Sequence, residues 1–238
     1  MPWFYYMKII YDHTHGFGKM RDQAYIYAPV GALVEESEYS EALSSGWCPL
    51  TKQLWFQTRS TRINIKEYKP DKDLLKKTNG IKYFFDISLN ENKRKIFNEI
   101  FDKYINYKNF KSQDYSLQDI INTSNGHVYY SENNKVIGFC FFKLLANNIF
   151  AVEFAWDYEN PRLSLGKLNI HFLCNYAKMK KYDYVYLSSG YESCSIYKSD
   201  YFGFEWWTGL KWNKDVEHYK RLCYSDDRVK IEFDWENI

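Results

Sequence analysis

Glu153 and Asp157 are the two carboxylates of the run IFAVEFAWD, and on an extended strand they stand ~13 Å apart at ~3.3 Å per residue, too far to work as a close acid/base pair. Tyr197 and Lys198 lie side by side further on. A phenol of pKa about 10 can donate a proton to a leaving alkoxide, and an ammonium can hold a phosphate or an oxyanion. Arg59 and Arg62, followed by Lys66 and Lys69, are candidates for phosphate contacts, and Trp47, Trp55 and Phe56 for stacking an exposed terminal base. The same spacing equally describes a half-exposed strand whose arginines pair with Asp or Glu. His13-x-His15, beside Gly16 and Gly18, lacks the further ligands of a metal site and the third glycine of a nucleotide loop, so it reads as a loop. His127, His171 and His218 are isolated, His171 on the polar side of its helix, and there is no Gly-x-Ser-x-Gly elbow.

These residues need elements to hold them. Residues 36–45 read as a helix stopped by Ser-Ser-Gly before Trp47, and LWFQTRSTRINI as one alternating strand with Arg59 and Arg62 on opposite faces. Residues 69–125 are charged and helical in pattern, with Ile96, Phe97, Ile100, Phe101, Tyr104 and Ile105 forming one stripe. A short helix follows, opened by Ser116 and closed at Gly126. From His127 the period becomes alternating. Three strands broken at Asn133-Asn134 and Asn147-Asn148 form an antiparallel meander. On residues 149–157 the side chains of Phe150, Val152, Phe154 and Trp156 share one face, and those of Glu153, Ala155 and Asp157 the other. A helix capped by Ser164 places Leu165, Leu168, Phe172 and Tyr176 on one face; the strand YDYVYLSS, the polar segment YESCSIYKSD and a closing strand pair in FEWWTGLKW complete the order.

Composition narrows the classes. Lys and Arg total 32 against 30 Asp and Glu, so any nucleic-acid contact has to be a local patch. Five scattered cysteines without C-x-x-C suggest buried thiols rather than a disulfide framework or a zinc site. No stretch approaches the ~20 apolar residues of a bilayer crossing, and the N-terminal run has no basic n-region or cleavage site, so no membrane partner and a cytoplasmic location are expected. Aromatic residues make up 20% of the chain, which makes a tyrosine near any chosen point unremarkable and shifts the weight from residue type to order.

The element order matches the acyltransferase fold of the GCN5-related N-acetyltransferases (GNAT). The expected class is therefore α+β: a GNAT-like mixed sheet flanked by helices over 69–238, with a smaller N-terminal α+β region at 1–68. In that fold the third meander strand leads to a glycine-rich loop that cradles a pyrophosphate. Here the junction has Gly166 alone between Leu163, Leu165 and Lys167, which suits a donor less rich in phosphate than coenzyme A.

Several motifs carry a closer resemblance. Trp156-Asp157 ends a strand, Ser164-Leu165-Gly166 starts a helix, Tyr184-Val185-Tyr186-Leu187 precedes Gly190-Tyr191, and Tyr197-Lys198 and Gly209-Leu210-Lys211-Trp212 follow in order. Residues 127–212 thereby resemble the protein aminoacyl-tRNA transferases, which comprise arginyl-tRNA-protein transferase and the bacterial aspartate/glutamate leucyltransferase. Gly46-Trp47 and Arg59-Ser60-Thr61-Arg62-Ile63 match that family's N-terminal half more loosely. Cys48 stands where the family has a cysteine cluster, so no metal or cofactor is expected, and Ser188-Ser189 adds two residues to the strand motif.

The resemblance implies transfer of arginine or leucine from aminoacyl-tRNA to the N-terminal α-amine of an acceptor protein or peptide, with an acidic first residue. Asp157 would bind or deprotonate the amine, Tyr197 would protonate the leaving 3'-hydroxyl, and Lys198 would hold an oxyanion. Glu153, Trp156, Ser164, Leu165, Gly166, Tyr186 and Tyr191 would line the substrates, and Arg59, Arg62 and Trp47 would meet tRNA. The plainer readings are a helix N-terminal charge for Asp157 and a solvated strand face for Glu153. An acyl-CoA-dependent N-acyltransferase and an inactive peptide- or RNA-binding module on the same fold are the alternatives.

Overall fold

The computed structural model describes residues 8–12, 23–27, 36–49, 54–108 and 116–232; the His13-x-His15 loop lies outside them. A small antiparallel sheet is built from β1 (Lys8–Asp12), β2 (Gln23–Tyr27), β3 (Trp47–Pro49) and β4 (Leu54–Gln57) in the order β1-β2-β4-β3, with α1 (Glu36–Ser44) entering β3. The chain then crosses at Thr58-Arg59 into a second sheet, beginning with β5 (Ser60–Asn64). LWFQTRSTRINI is thus two strands in two sheets, not one. β5, which precedes the boundary expected at residue 68, is a strand of the large sheet, whereas β1–β4 form a sheet of their own.

The large sheet is mixed and eight-stranded. β5 is joined by β6 (Ile81–Asp86), β7 (Gly126–Glu132), β8 (Lys135–Leu145), β9 (Asn148–Trp156), β10 (Tyr184–Ser189), β11 (Phe204–Trp207) and β12 (Trp212–Asn213), in the order β12-β11-β5-β10-β9-β8-β7-β6. The meander β7-β8-β9 forms as its turn residues demand: Asn133 and Asn134 both take positive φ, as a two-residue hairpin requires, and Ala146 does so before β9. β6 lies within the stretch read as helical; its run IKYFFD has no 3.6-residue period and pairs with β7 along its whole length.

Helices cover both faces. α3 (Glu91–Lys108) and α4 (Leu117–Thr123) bury Phe97, Ile100, Phe101, Leu117 and Ile120 against Phe139 and Phe141. Ser116 and Asp119 form a reciprocal capping box at α4, whose C-cap is Ser124 rather than Gly126. On the other face lies α5 (Leu165–Lys180), buried around most of its circumference because α2 (Lys72–Lys77) and the preceding turn pack over its outer side. His171 is therefore buried rather than on a polar side, its two ring nitrogens bonded by the Tyr68 hydroxyl at 2.6 Å and the Asn175 amide at 3.0 Å. A final helix, α6 (Val216–Glu232), follows the closing strand pair. Among the described residues no helix is long and apolar enough to cross a membrane.

The β9-α5-β10 crossover makes β9 and β10 the parallel pair of this sheet. Their pairing covers Asn148–Tyr184, Ile149–Val185 and Phe150–Tyr186 and then stops, although β9 runs on to Trp156 and β10 to Ser189. Beyond that point the two strands part, leaving an opening over the start of α5.

Candidate active site

β9 carries a bulge at this opening. Phe141 pairs with Glu153 and Phe142 with Ala151, so Val152 is an extra residue and the alternation of faces slips by one. Phe150 packs with Trp47 and Tyr186 on one side of the sheet, whereas Phe154 and Trp156 face α5 on the other. The expectation of one shared face for Phe150, Val152, Phe154 and Trp156 fails for this reason. Glu153, opposite Phe141, lies on the α3 side, away from Gly166.

Gly166 sits in the first turn of α5, and a Cβ there would lie 3.7 Å from the Phe154 ring and 4.0 Å from the Tyr197 hydroxyl. Tyr197 belongs to a 3-10 helix, Ser193–Asp200, that brings its phenol over the helix start. Burial pushes the Tyr197 hydroxyl above the usual phenol range, and among the described residues no group hydrogen-bonds it. Leu165 is fully buried beside Gly138 and Trp156. Ser164 occupies the cap position in the left-handed conformation, φ 51°, and makes no side-chain cap; its hydroxyl accepts instead from Lys77 at 3.5 Å.

Asp157 follows β9 directly, its backbone N–H donating to the Ile137 carbonyl at 3.1 Å. Its side chain is only 4% exposed. Oδ1 accepts from the Glu159 N–H at 3.3 Å, while Oδ2 is buried without a hydrogen bond and lies 3.5 Å from Lys135 Nζ. A pocket of about 320 Å³ opens here, lined by Asp157, Lys135, Glu159, Asn160, Ile137 and Leu163 among others.

Lys198 turns away from solvent and donates to the carbonyls of Leu187 at 2.9 Å and Ser189 at 2.6 Å. Loss of water lowers its pKa to about 8. Those carbonyls flank a second bulge: Tyr186 pairs with Arg62 and Ser189 with Ser60, so Leu187 and Ser188 together oppose Thr61, and Ser188 takes φ 60°. One of the two added residues of the strand motif is absorbed there, and Tyr191 ends beneath Arg59, its hydroxyl accepting from the Arg59 N–H at 3.1 Å.

The arginines and Trp47 stand apart from this opening. Arg62, 7% exposed, is locked to Glu205 by Nε at 2.7 Å, donates to the Tyr186 hydroxyl at 3.2 Å, and lies 3.9 Å from the ring centres of both Tyr184 and Trp212. Arg59 makes a two-pronged pair with Asp226 of α6 at 2.6 and 3.3 Å. This is the paired arrangement that the sequence left as an equal alternative. Trp47 and Trp55 are buried in the same cluster as Tyr186 and present no open ring face; the Phe56 side chain lies outside the described residues. Gly46 explains the Gly-Trp pair structurally: its φ is +78°, and a Cβ would strike the Trp207 ring at 2.4 Å.

The structure thus sets Tyr197 beside Gly166 and Leu165 beside Trp156, puts Asp157 in the pocket with Lys135 and Glu159 and Lys198 on the end of β10, and leaves Glu153, Tyr186, Tyr191, Arg59, Arg62 and Trp47 elsewhere. The sequence reading missed Tyr158, whose ring lies 4.1 Å from that of Trp156. Its position next to the Trp-Asp dipeptide was the available signal.

A family model described as "Arginine-tRNA-protein transferase, C terminus" matches residues 82–208, from β6 to the end of β11. No curated protein sequence matches the chain. Among solved structures, a C-terminal DUF2156 domain from Agrobacterium fabrum aligns at TM-score 0.48 and 8% identity over 78% of this chain and 70% of that one. L-PGS from Bacillus licheniformis aligns at 0.46 and 9% over 60% of this chain and 51% of that one. A GCN5-related glucosamine N-acetyltransferase region of a fungal multi-domain β-N-acetylglucosaminidase aligns at 0.44 and 12%, over 73% and 22%.

Proposed function

The chain belongs to the arginine-tRNA-protein transferase C-terminal family, and from that premise we propose that it moves arginine or leucine from aminoacyl-tRNA to the N-terminal α-amine of an acceptor protein or peptide whose first residue is acidic. The observation that carries the reading is the convergence of Phe154 and the unbonded Tyr197 hydroxyl on Gly166, where β9 and β10 part.

In this reaction the neutral amine attacks the ester carbonyl, a C–N bond forms, and the C–O bond to the ribose 3'-oxygen breaks. Two protons need handling. Asp157 takes the one released by the amine, its buried Oδ2 having no hydrogen-bond donor of its own. Tyr197 gives one to the departing 3'-oxygen; a phenol raised by burial stays protonated at neutral pH and so remains a donor. Lys198 holds the end of β10 through two carbonyls and has one N–H left for a negative oxygen. Leu165, Trp156 and Gly166 wall the aminoacyl group.

The test supplies the purified protein with labelled arginyl- and leucyl-tRNA, labelled acetyl-CoA, and peptides beginning with Asp, Glu or Ala. Label passing from tRNA to the Asp and Glu peptides is the expected result. Label passing from acetyl-CoA and not from tRNA overturns the reading, and so does tight peptide or RNA binding with no transfer.

A further inference from the structure

Tyr107, near the end of α3, is 62% exposed, yet its ring is held in one orientation. It stacks on Tyr158 with ring centres 3.9 Å apart and planes within 15°. Tyr158 lies in turn 4.1 Å from Trp156, and Tyr104, on the adjoining stripe of α3, is stacked on Tyr158 at 5.9 Å and 19°. Tyr158 takes φ 55°, a conformation rare outside glycine, which turns its ring into this stack at the residue after Asp157. An isolated surface tyrosine samples several rotamers and loses that freedom when a ligand binds. Here the ordering precedes the ligand.

Cations surround the platform. Lys103 lies one helical turn before Tyr107 on the same stripe and is 3.8 Å from Glu159. Lys108 Nζ is 5.3 Å from the Tyr158 ring centre. Lys135 on the far rim contacts Glu159 at 2.5 Å and Asp157 at 3.5 Å, and Glu132 lines the same pocket, so the carboxylates gather at the Lys135 end and Lys103 and Lys108 at the Tyr107 end. An open ring face with lysines beside it is how proteins hold unpaired nucleotides without reading their sequence: the base stacks and the phosphates meet the cations. Trp47 and Trp55 are buried, which leaves this stack as the aromatic surface beside the opening.

We propose that the unpaired base at the 3' end of the RNA donor stacks on the open face of Tyr107, with Lys103 and Lys108 against its phosphates. The proposal rests on the reading of the chain as a tRNA-dependent transferase. It assigns the donor's end to α3 and the residue after Asp157, not to Arg59 and Arg62.

The test measures binding, apart from transfer. Fluorescently labelled uncharged tRNA, and the same tRNA lacking its last nucleotide, are titrated at one fixed salt concentration with the wild type, Tyr107→Ala and Tyr107→Phe. Tyr107→Ala should bind intact tRNA about tenfold more weakly, the scale of one lost base–aromatic stack, while Tyr107→Phe, which keeps the ring, should bind as the wild type does. The shortened tRNA should bind the wild type and Tyr107→Ala equally. Undiminished binding of intact tRNA by Tyr107→Ala, an equal loss with both RNAs, or no tRNA binding by the wild type overturns the platform. Transfer from tRNA with an unchanged KM for tRNA in Tyr107→Ala sinks the platform and leaves the transferase reading. Binding that depends on both Tyr107 and the last nucleotide, without any transfer, does the reverse.

Discussion

The large sheet treats its buried cations in two ways. On and beside β5, Arg62 and Arg59 each face a carboxylate within 2.7 Å, with tyrosine and tryptophan rings against the guanidinium of Arg62. On β8 Lys143 is buried and beside β10 Lys198 is half-buried, and among the described residues neither has a carboxylate partner; Lys198 has backbone carbonyls and Lys143 has none. The first pattern spends its bonding capacity on holding elements together across the fold. At Asp157 and Tyr197 capacity is left over: Asp157 Oδ2 makes no hydrogen bond, with Lys135 Nζ 3.5 Å away, and among the described residues the Tyr197 hydroxyl has no hydrogen-bond partner. Groups that are fully paired stabilise, and groups with bonding capacity to spare are available for a substrate.

The contrast breaks hardest at Glu205. Glu205→Ala strands the Arg62 guanidinium in a buried site and should lower stability by about 3–5 kcal/mol in urea unfolding. A loss under ~1 kcal/mol would mean that the flanking rings suffice to hold the charge. At the opening the order reverses. Asp157→Asn should cut transfer about 100-fold, the scale of a lost acid/base group, with its urea midpoint close to that of the wild type; unchanged transfer would remove Asp157 from the chemistry.

Lys143 tests the unpaired side through pH. Burial lowers its pKa from 10.5 to about 8, so between those values the unfolded chain holds a proton that the folded one lacks, and stability rises with pH across that window. Below pH 8 the folded state carries the full cost of a buried charge. Lys143→Met should therefore stabilise the protein by roughly 1–3 kcal/mol at pH 7, an advantage that shrinks toward pH 10.5; stability profiles of the two proteins that run parallel would refute it. The smallest effect is expected of Tyr197→Phe, which should slow transfer about tenfold without loss of stability, since among the described residues the missing hydroxyl has no hydrogen-bond partner. A clear drop in melting temperature would show that the phenol is structural.

Legibility followed the range of the interactions. The β7-β8-β9 meander, α5 and the strand β10 were readable because alternation, Asn-Asn turns and helical spacing are local signals. The stretch before the meander hid β6, an edge strand whose aromatic run carries neither period clearly. The strand expected across residues 54–65 failed at Thr58-Arg59, where the chain changes sheets with no glycine or proline to mark it. His171 was misplaced because helical spacing knows nothing of α2 packing on the outer side of α5. The same limit applied to the site. Gly166 and Tyr197, picked out by order along the chain, lie together at the opening, whereas Asp157 lines a pocket with Lys135 and Glu159; Glu153 stays on the face opposite Phe154 and Trp156, and the extra residue at Val152 puts Phe150 on the face opposite theirs.

Local order along the chain was enough to set the mixed α+β architecture and to mark the junction after β9 and the Tyr-Lys pair, because turns, caps and periodicity act over a few residues. Which of the marked groups is spent and which is free was decided by packing. Arg62 meets Glu205 across 143 residues and Arg59 meets Asp226 across 167. Such pairings, and the bulges that swap one face for the other, depend on distant segments excluding water from the same place, and desolvation of that kind leaves no trace in residue spacing.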